Sequence, residues 1–491
     1  GGRLNNGDWA QSIAVMEMAV GIDPEFAMAY RALAAAYENL GYRSESKARL
    51  EKAFELTARV SDREKFHIQG YFYMQSEKTY EKAIAAYTQL LKLYPEDGTA
   101  INNLGSIYNI LEQWDKAVET LEEIRITKDE SVLSYWNLYE AYSSKGEREK
   151  SREVLEDYLD NISENAIIYA LLSQECILEG KYDLAPEEAE KAFALDPTHY
   201  RNFILRGDLF CFQDDLASAE SEYMKLFDIK EPVAHDIGLR RLGGLYVLQG
   251  RFDQAREQLN QGLDLAGMLE DSLWEAWFRL YLAYVALRAG DPEAALAGCE
   301  QAGSVAEEAG VLDIQRRALF MKGLVFLEMN AMDEAQATAR QLLELIDQGM
   351  IEKAKRYHHH LMGMIELKKG NFAQAIQEFK TAISLLPAEF NIDSWHALFA
   401  EPLARAYYLD ENLDAAWKEY ENIASLTAGR MYHGDIFAKS LYMLGKICQE
   451  KGETEKAVEY YRRFLEILKN ADKESPELVD AKEQLSRFGQ D

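Results

Sequence analysis

The chain has 491 residues, with 54 Lys and Arg against 84 Asp and Glu and a net charge of −30. Hydrophobic residues make up 48%, too many for a disordered polymer, and the negative field excludes a nucleic-acid backbone or an anionic membrane surface as partner. No apolar run is long enough to cross a bilayer, and no basic stretch precedes an apolar one as in a signal peptide. The opening Gly1-Gly2-Arg3 without an initiator Met reads as a processing remnant. Scarce proline, with abundant alanine and leucine, points to helices.

A small residue recurs along the chain at Ser12, Ser46, Ala83, Ala117, Ser151, Ala185, Ala219, Ala255, Ala295, Ala335, Ala375, Ala416 and Ala457. The intervals are 34, 37, 34, 34, 34, 34 and 36, then 40, 40, 40, 41 and 41. Twelve residues before most markers lies a second small site, such as Gly105, Gly207, Gly323 and Gly445. Tyr71 and Tyr139 break that rule. An aromatic such as Tyr37, Tyr108 or Tyr246 commonly follows three residues later. These spacings place small and bulky residues on one face of each of two helices, so that the backbones approach closely. Pro24, Pro95, Pro197 and Pro387 close several of the pairs. Lys78, Glu112, Asp214, Asn330 and Glu411 stand where other repeats have a turn glycine, which predicts a different turn there.

The composite pattern in ALAAAYENLGYRSESKARLEKAFEL, NNLGSIYNILEQWDKAVETLEEI and YMLGKICQEKGETEKAVEYYRRFLEIL resembles the tetratricopeptide repeat (TPR). The resemblance implies an all-α solenoid, a right-handed superhelix of antiparallel helix pairs with a concave inner surface. About 26 helices are expected: one from a half repeat at residues 5–24, twelve pairs, and a polar closing helix from Ser475. The half repeat leads us to expect a segment upstream. Residues 1–235 form a block of 34-residue period, 236–470 a block of 40-residue period with longer helices, and 471–491 the cap. Pro232 marks the change, where curvature should alter.

Two runs, one from Ala58 to Asn109 and one from Ser394 to Ile447, are similar to TPR regions of multidomain bacterial signalling proteins of the serine/threonine kinase type. No Gly-rich loop, V-A-I-K, H-R-D or D-F-G motif is present. No catalytic residue and no cofactor is assigned. The histidines of His358-His359-His360 fan out by about 100° each on a helix, so no metal site is read there, and His359 falls at a packing position. Cys176, Cys211, Cys299 and Cys448 form no C-x-x-C pair and read as buried, reduced fillers. Unpaired cysteines fit a cytoplasmic setting, whereas the sensor part of a membrane kinase would lie outside it.

In TPR solenoids the first helix of each pair lines the groove. That places Arg31, Lys65, Phe72, Asn102, Asn103, Asn109, Trp136, Asn137, Gln174 and Arg201 as candidate peptide-binding residues, with Glu38, Gln75, Ser106, Glu140 and Asp208 beside them. Asn103 and Asn137, 34 residues apart, offer amides to an extended peptide backbone. No basic clamp for a C-terminal carboxylate is seen. The expected function is therefore a non-catalytic scaffold that binds a protein or peptide, neutral or basic in character. The rivals are self-association into a filament or ring, and a small-molecule sensor with a pocket lined by Tyr357, His360, Trp395 and His396.

Overall fold

The computed structural model describes residues 9–127, 130–388, 395–425 and 430–489; Gly1 and Gly2 lie outside them. The described residues form helical hairpins stacked in chain order, with no strand among them. Each hairpin is held where the small sites meet the second helix. A Cβ on Gly105 would stand 2.3 Å from Leu121 Cγ, one on Gly207 2.3 Å from Tyr223 Cε1, and one on Gly445 2.8 Å from Tyr461 Cε1. In the second repeat the close approach is made by Gly70, 2.5 Å from the Tyr87 ring, and not at the Tyr71 position. That corrects the register there by one residue.

Helices up to Met224 are mostly 13 or 14 residues long, as in Ala27–Leu40 and Val132–Ser144. From Pro232–Leu248 to Leu312–Glu328 they run 17 residues. After Lys355 most shorten again, as in Phe372–Ser384 with 13, whereas Arg430–Glu450 runs 21 across its kink. The extra residues of the 40-residue period lengthen helices as far as Asp347 and again in Arg430–Glu450. The turns are more uniform than expected: Glu112, Asp214, Asn330 and Glu411 adopt φ of 54°, 60°, 58° and 59°, the left-handed conformation of the turn glycines elsewhere. Only Lys78 departs, within a 3₁₀ turn at Glu77–Thr79.

The solenoid winds past itself, giving two coils. Arg43 Nη1 donates to Asp271 at 2.8 Å, 228 residues away. Arg316 donates to both oxygens of Glu77 at 2.8 and 2.9 Å, 239 residues away, and Arg356 to both oxygens of Glu112 at 2.6 and 2.7 Å. Ala388 N–H donates to the Ser144 carbonyl at 2.9 Å. The second coil also closes on itself. Helix Pro232–Leu248 packs along helix Arg430–Glu450, and a Cβ on Gly434 would lie 2.5 Å from Leu248 Cβ. Next to that contact His433 leaves helical geometry (φ −123°, ψ 36°) and kinks the helix. One apolar cluster running from Tyr80 to Leu485 joins the two coils.

Two glycines in helix Phe252–Met268 test the packing register. Gly262→Ala puts a methyl 2.2 Å from Phe278 Cε1, whereas Gly267 faces open space. Chemical denaturation should show Gly262→Ala destabilised by about 1–3 kcal/mol and Gly267→Ala stabilised by about 0.5 kcal/mol. The clasp between coils is tested by Arg316, fully buried against Glu77. Removing one partner strands a buried charge, so Arg316→Ala or Glu77→Ala should cost about 3–5 kcal/mol. The double variant Arg316→Met, Glu77→Leu should cost clearly less than the two single losses summed.

Candidate functional site

Inner positions of successive first helices repeat at fixed offsets from the small site. Trp136, Ala170, Ile204 and Arg240 share one offset; Ile167, Arg201 and Ile237 a second; Glu140, Gln174 and Asp208 a third. The superhelix brings these stripes together around a cavity of about 330 Å³. Its walls come from helices Val132–Ser144, Ala166–Leu178, Tyr200–Phe212 and Pro232–Leu248, with Tyr432 entering from the last coil.

The chemistry of the cavity is mixed. The Arg201 guanidinium lies 4.2 Å from the Trp136 ring centre, a cation–π stack that holds both side chains flat against the wall. Asp208 is spoken for: Tyr223 Oη donates to it at 2.6 Å, and Arg241 Nε stands 3.0 Å away. Glu140 is different. Among the described residues no cation pairs with it, and burial raises its carboxyl to about 7. It is therefore a poised acceptor, protonated or charged near neutrality according to what sits beside it.

Of the residues expected in the groove, Trp136, Gln174 and Arg201 are brought together here, with Glu140 and Asp208. The asparagines are not directed at a ligand. Asn137 Nδ2 donates to Asn102 Oδ1 at 2.8 Å, Asn102 Nδ2 to Asn103 Oδ1 at 3.2 Å, and Asn103 Nδ2 to Tyr87 Oη at 2.8 Å. This amide relay ties neighbouring repeats. Asn109 Nδ2 likewise donates to the Asn137 carbonyl at 2.8 Å. Phe72 stacks on Phe54 at 4.1 Å, so it packs hairpin on hairpin. Arg31 lies over the Tyr71 ring, and Lys65 is half-buried on helix Asp62–Tyr73; neither lines this cavity. Arg240 was reachable by carrying the offsets one repeat further, and Arg241 lies next to it. Tyr432 was not, because it arrives from the far end of the chain.

The histidine triplet sorts by side of the helix. His358 Nδ1 lies 3.0 Å from the Ala339 carbonyl, and His359 Nδ1 2.8 Å from a Glu378 oxygen. His360, not His359, takes the packing position, buried against Phe320 and Phe399, and burial lowers its pKa to about 3. All four cysteines are buried, and none is in a disulfide. Of the expected small-molecule pocket, Trp395 lines a separate cavity and His360 a neighbouring cleft. Tyr357 is buried against Phe320 and Phe399, and His396 Nε2 lies 2.9 Å from the Pro387 carbonyl.

An all-α array of stacked hairpins with a lined inner face defines the class: an α-helical solenoid. The family profile described as "Tetratricopeptide repeat" matches residues 70–131, 359–388 and 438–468, so tetratricopeptide repeats are matched in both coils, over about a quarter of the chain. Among curated proteins it is similar to the BBSome complex member BBS4 of Bos taurus, 26% identical over 144 residues. That match covers 29% of this chain and 28% of that protein; the chain thus matches little more than a quarter of that relative's length. Similar solved structures include the APC/C hetero-tetramer Cut9–Hcn1 (15% identity, TM-score 0.33, covering 99% and 94% of the two chains). Another is yeast Tom70 (14%, TM-score 0.39, 87% and 96%), and a third is a tetratricopeptide repeat protein from Parabacteroides merdae (18%, TM-score 0.33, 58% and 97%). Among the described residues no helix is long and apolar enough to cross a membrane.

Glu140 makes a pH prediction. A carboxyl whose folded pKa exceeds its unfolded value near 4.3 leaves stability whole below that value. The penalty grows as pH rises toward about 7. Thermal melts of Glu140→Gln should match the parent at pH 4.5 and lie above it at pH 8, with the gap opening between those values.

Proposed function

We propose that the chain is a non-catalytic interaction module that holds a short segment of a partner protein in the first-coil groove, with a neutral or basic side chain of that segment beside Glu140. The observation that carries this reading is the unpaired Glu140 carboxyl in a cavity already equipped with the Trp136–Arg201 platform and the Gln174 amide. A partner's ammonium or guanidinium supplies the counter-charge that this chain does not, and binding it keeps Glu140 ionised. The overall charge of −30 speeds encounter with a basic segment at low salt. Because the asparagine relay is satisfied internally, recognition falls to side-chain pockets more than to an amide ladder along the peptide backbone.

Membership of a multi-subunit assembly, which the name of the cattle relative states for that protein, is in keeping with a subunit-binding role here. The two runs that resemble repeat regions of bacterial signalling proteins support a finer reading: a recognition arm in a signalling chain.

The test uses fluorescein-labelled decapeptides, acetylated and amidated, in which one central position is Lys, Gln or Glu in a mixed neutral background. Anisotropy titrations should find a Lys series that binds at least tenfold tighter than the Glu series. Glu140→Gln should remove that preference, and Trp136→Ala should weaken both the Lys and Gln series. Binding that ignores both substitutions would place the partner elsewhere on the molecule.

A further inference from the structure

Beyond the Arg240–Tyr432 wall of the groove, the inner stripe of the second coil encloses a cavity of about 250 Å³. The offsets that carry Arg201 and Glu140 in the first coil carry Trp277 and Tyr284 here, and Tyr281, Trp395 and Tyr432 complete an aromatic lining. Two guanidiniums, Arg240 and Arg317, line it, and no Asp or Glu does, in a chain with thirty more acids than bases (84 − 54).

Two polar groups there are incompletely used. His433 is 3% exposed, and neither of its ring nitrogens has a hydrogen-bond partner among the described residues. Its ring stands edge-on to Tyr284 and Trp395, with centres 4.8 and 5.3 Å away. Burial lowers its pKa to about 4, so the neutral ring offers one donor and one acceptor, and a buried donor left unmade is costly. Arg317 Nε donates to Asp313 at 2.7 Å. Its guanidinium is held 4.4 Å from the Trp395 ring and 5.1 Å from the Trp277 ring. The terminal N–H groups of Arg317 have no hydrogen-bond partner among the described residues.

We infer that this cavity binds a planar aromatic carboxylate, its ring against the aromatic lining, its carboxylate on the Arg317 guanidinium and a second polar edge on His433. Planar rings match the lining by stacking or edge contact. Arg240 is taken by Asp236, so the donors left to a ligand are the terminal N–H groups of Arg317, and the fork of an arginine suits a carboxylate. Size sets the scale: an apolar cavity of about 150 Å³ holds benzene, so this one holds a fused bicycle. The inference is separable from the groove reading, because Trp277, Arg317, Trp395 and His433 line this cavity and not the groove, although Arg240 and Tyr432 border both.

The probes are 2-naphthoate, the uncharged 2-naphthamide and the cationic 2-naphthylmethylamine, titrated calorimetrically into the full chain. Naphthoate should bind one to one, at least tenfold tighter than the amide, raise the melting temperature, and far exceed the amine. Arg317→Met should weaken naphthoate at least tenfold while leaving the amide unchanged, and Trp136→Ala in the groove should change neither. Equal affinities for the three probes, or no saturable binding of naphthoate, would overturn the inference, as would a loss on Trp136→Ala equal to that on Arg317→Met. Should Arg317→Met not fold, the three-probe comparison on the parent chain decides alone.

Discussion

The contact on which the rest depends is the return of helix Arg430–Glu450 to helix Pro232–Leu248. At Gly434 the two approach so closely that a side chain would collide with Leu248. A TPR solenoid ordinarily leaves its inner face to solvent or ligand, since each repeat is buried only by its neighbours. Here repeats far apart in sequence bury one another. Tyr284 Oη donates to Asp435 at 2.6 Å, and Tyr281 Oη to the Tyr432 carbonyl at 3.1 Å, each across 151 residues. Such contacts turn the concave surface of the second coil into an interior, while the first coil keeps a groove.

Polar clasps then fix one coil against the other. Apolar packing between coils is tolerant of sliding, because the hydrophobic effect has no direction. A bidentate arginine–carboxylate pair is not tolerant. Arg316 on Glu77 and Arg356 on Glu112 meet the turns inside two successive hairpins, and each engages both carboxylate oxygens. This gives a physical reason for the missing turn glycines. Glu112 accepts a left-handed φ of 54°, which costs about 1 kcal/mol relative to glycine, and in exchange presents a carboxylate that glycine lacks. Glu77 abandons that turn for a 3₁₀ one and is sealed in by Arg316 and the Met350 N–H. The same account does not extend to Glu411, whose side chain makes no clasp.

Most of the architecture was legible because a repeat states its own packing many times over. The small site and its partner are local, i to i+16 in a hairpin, and any one deviation is outvoted. Gly70 was misread as Tyr71 because a single repeat shifted by one. The shared wall of one cavity was legible in the same way: Trp136, Gln174 and Arg201 follow from offsets within a first helix, and Arg240 obeys the same rule one repeat on. The asparagines stand on the inner helices as expected, and there their amides bond to one another, to Tyr87 and to the Asn137 carbonyl. Period alone does not distinguish an amide that faces a ligand from one that bonds the next repeat. Tyr432, His433 and the Glu77–Arg316 clasp were illegible, since they depend on superhelical pitch. A small rotation at each repeat, summed over the seven repeats between Glu77 and Arg316, decides which residues meet.

The pitch also makes one wall serve two cavities. Arg240 and Tyr432 line both the polar groove and the aromatic cavity, joined by a bond from Arg240 Nη1 to Tyr432 Oη of 3.0 Å, and Asp236 holds the other edge of the guanidinium. A ligand on either side that displaced this pair would be felt equally on the other, since linkage is reciprocal. The inner stripe thus carries two chemistries with one partition between them: acceptors and a cation–π platform where the coil is open, rings and guanidiniums where it is closed.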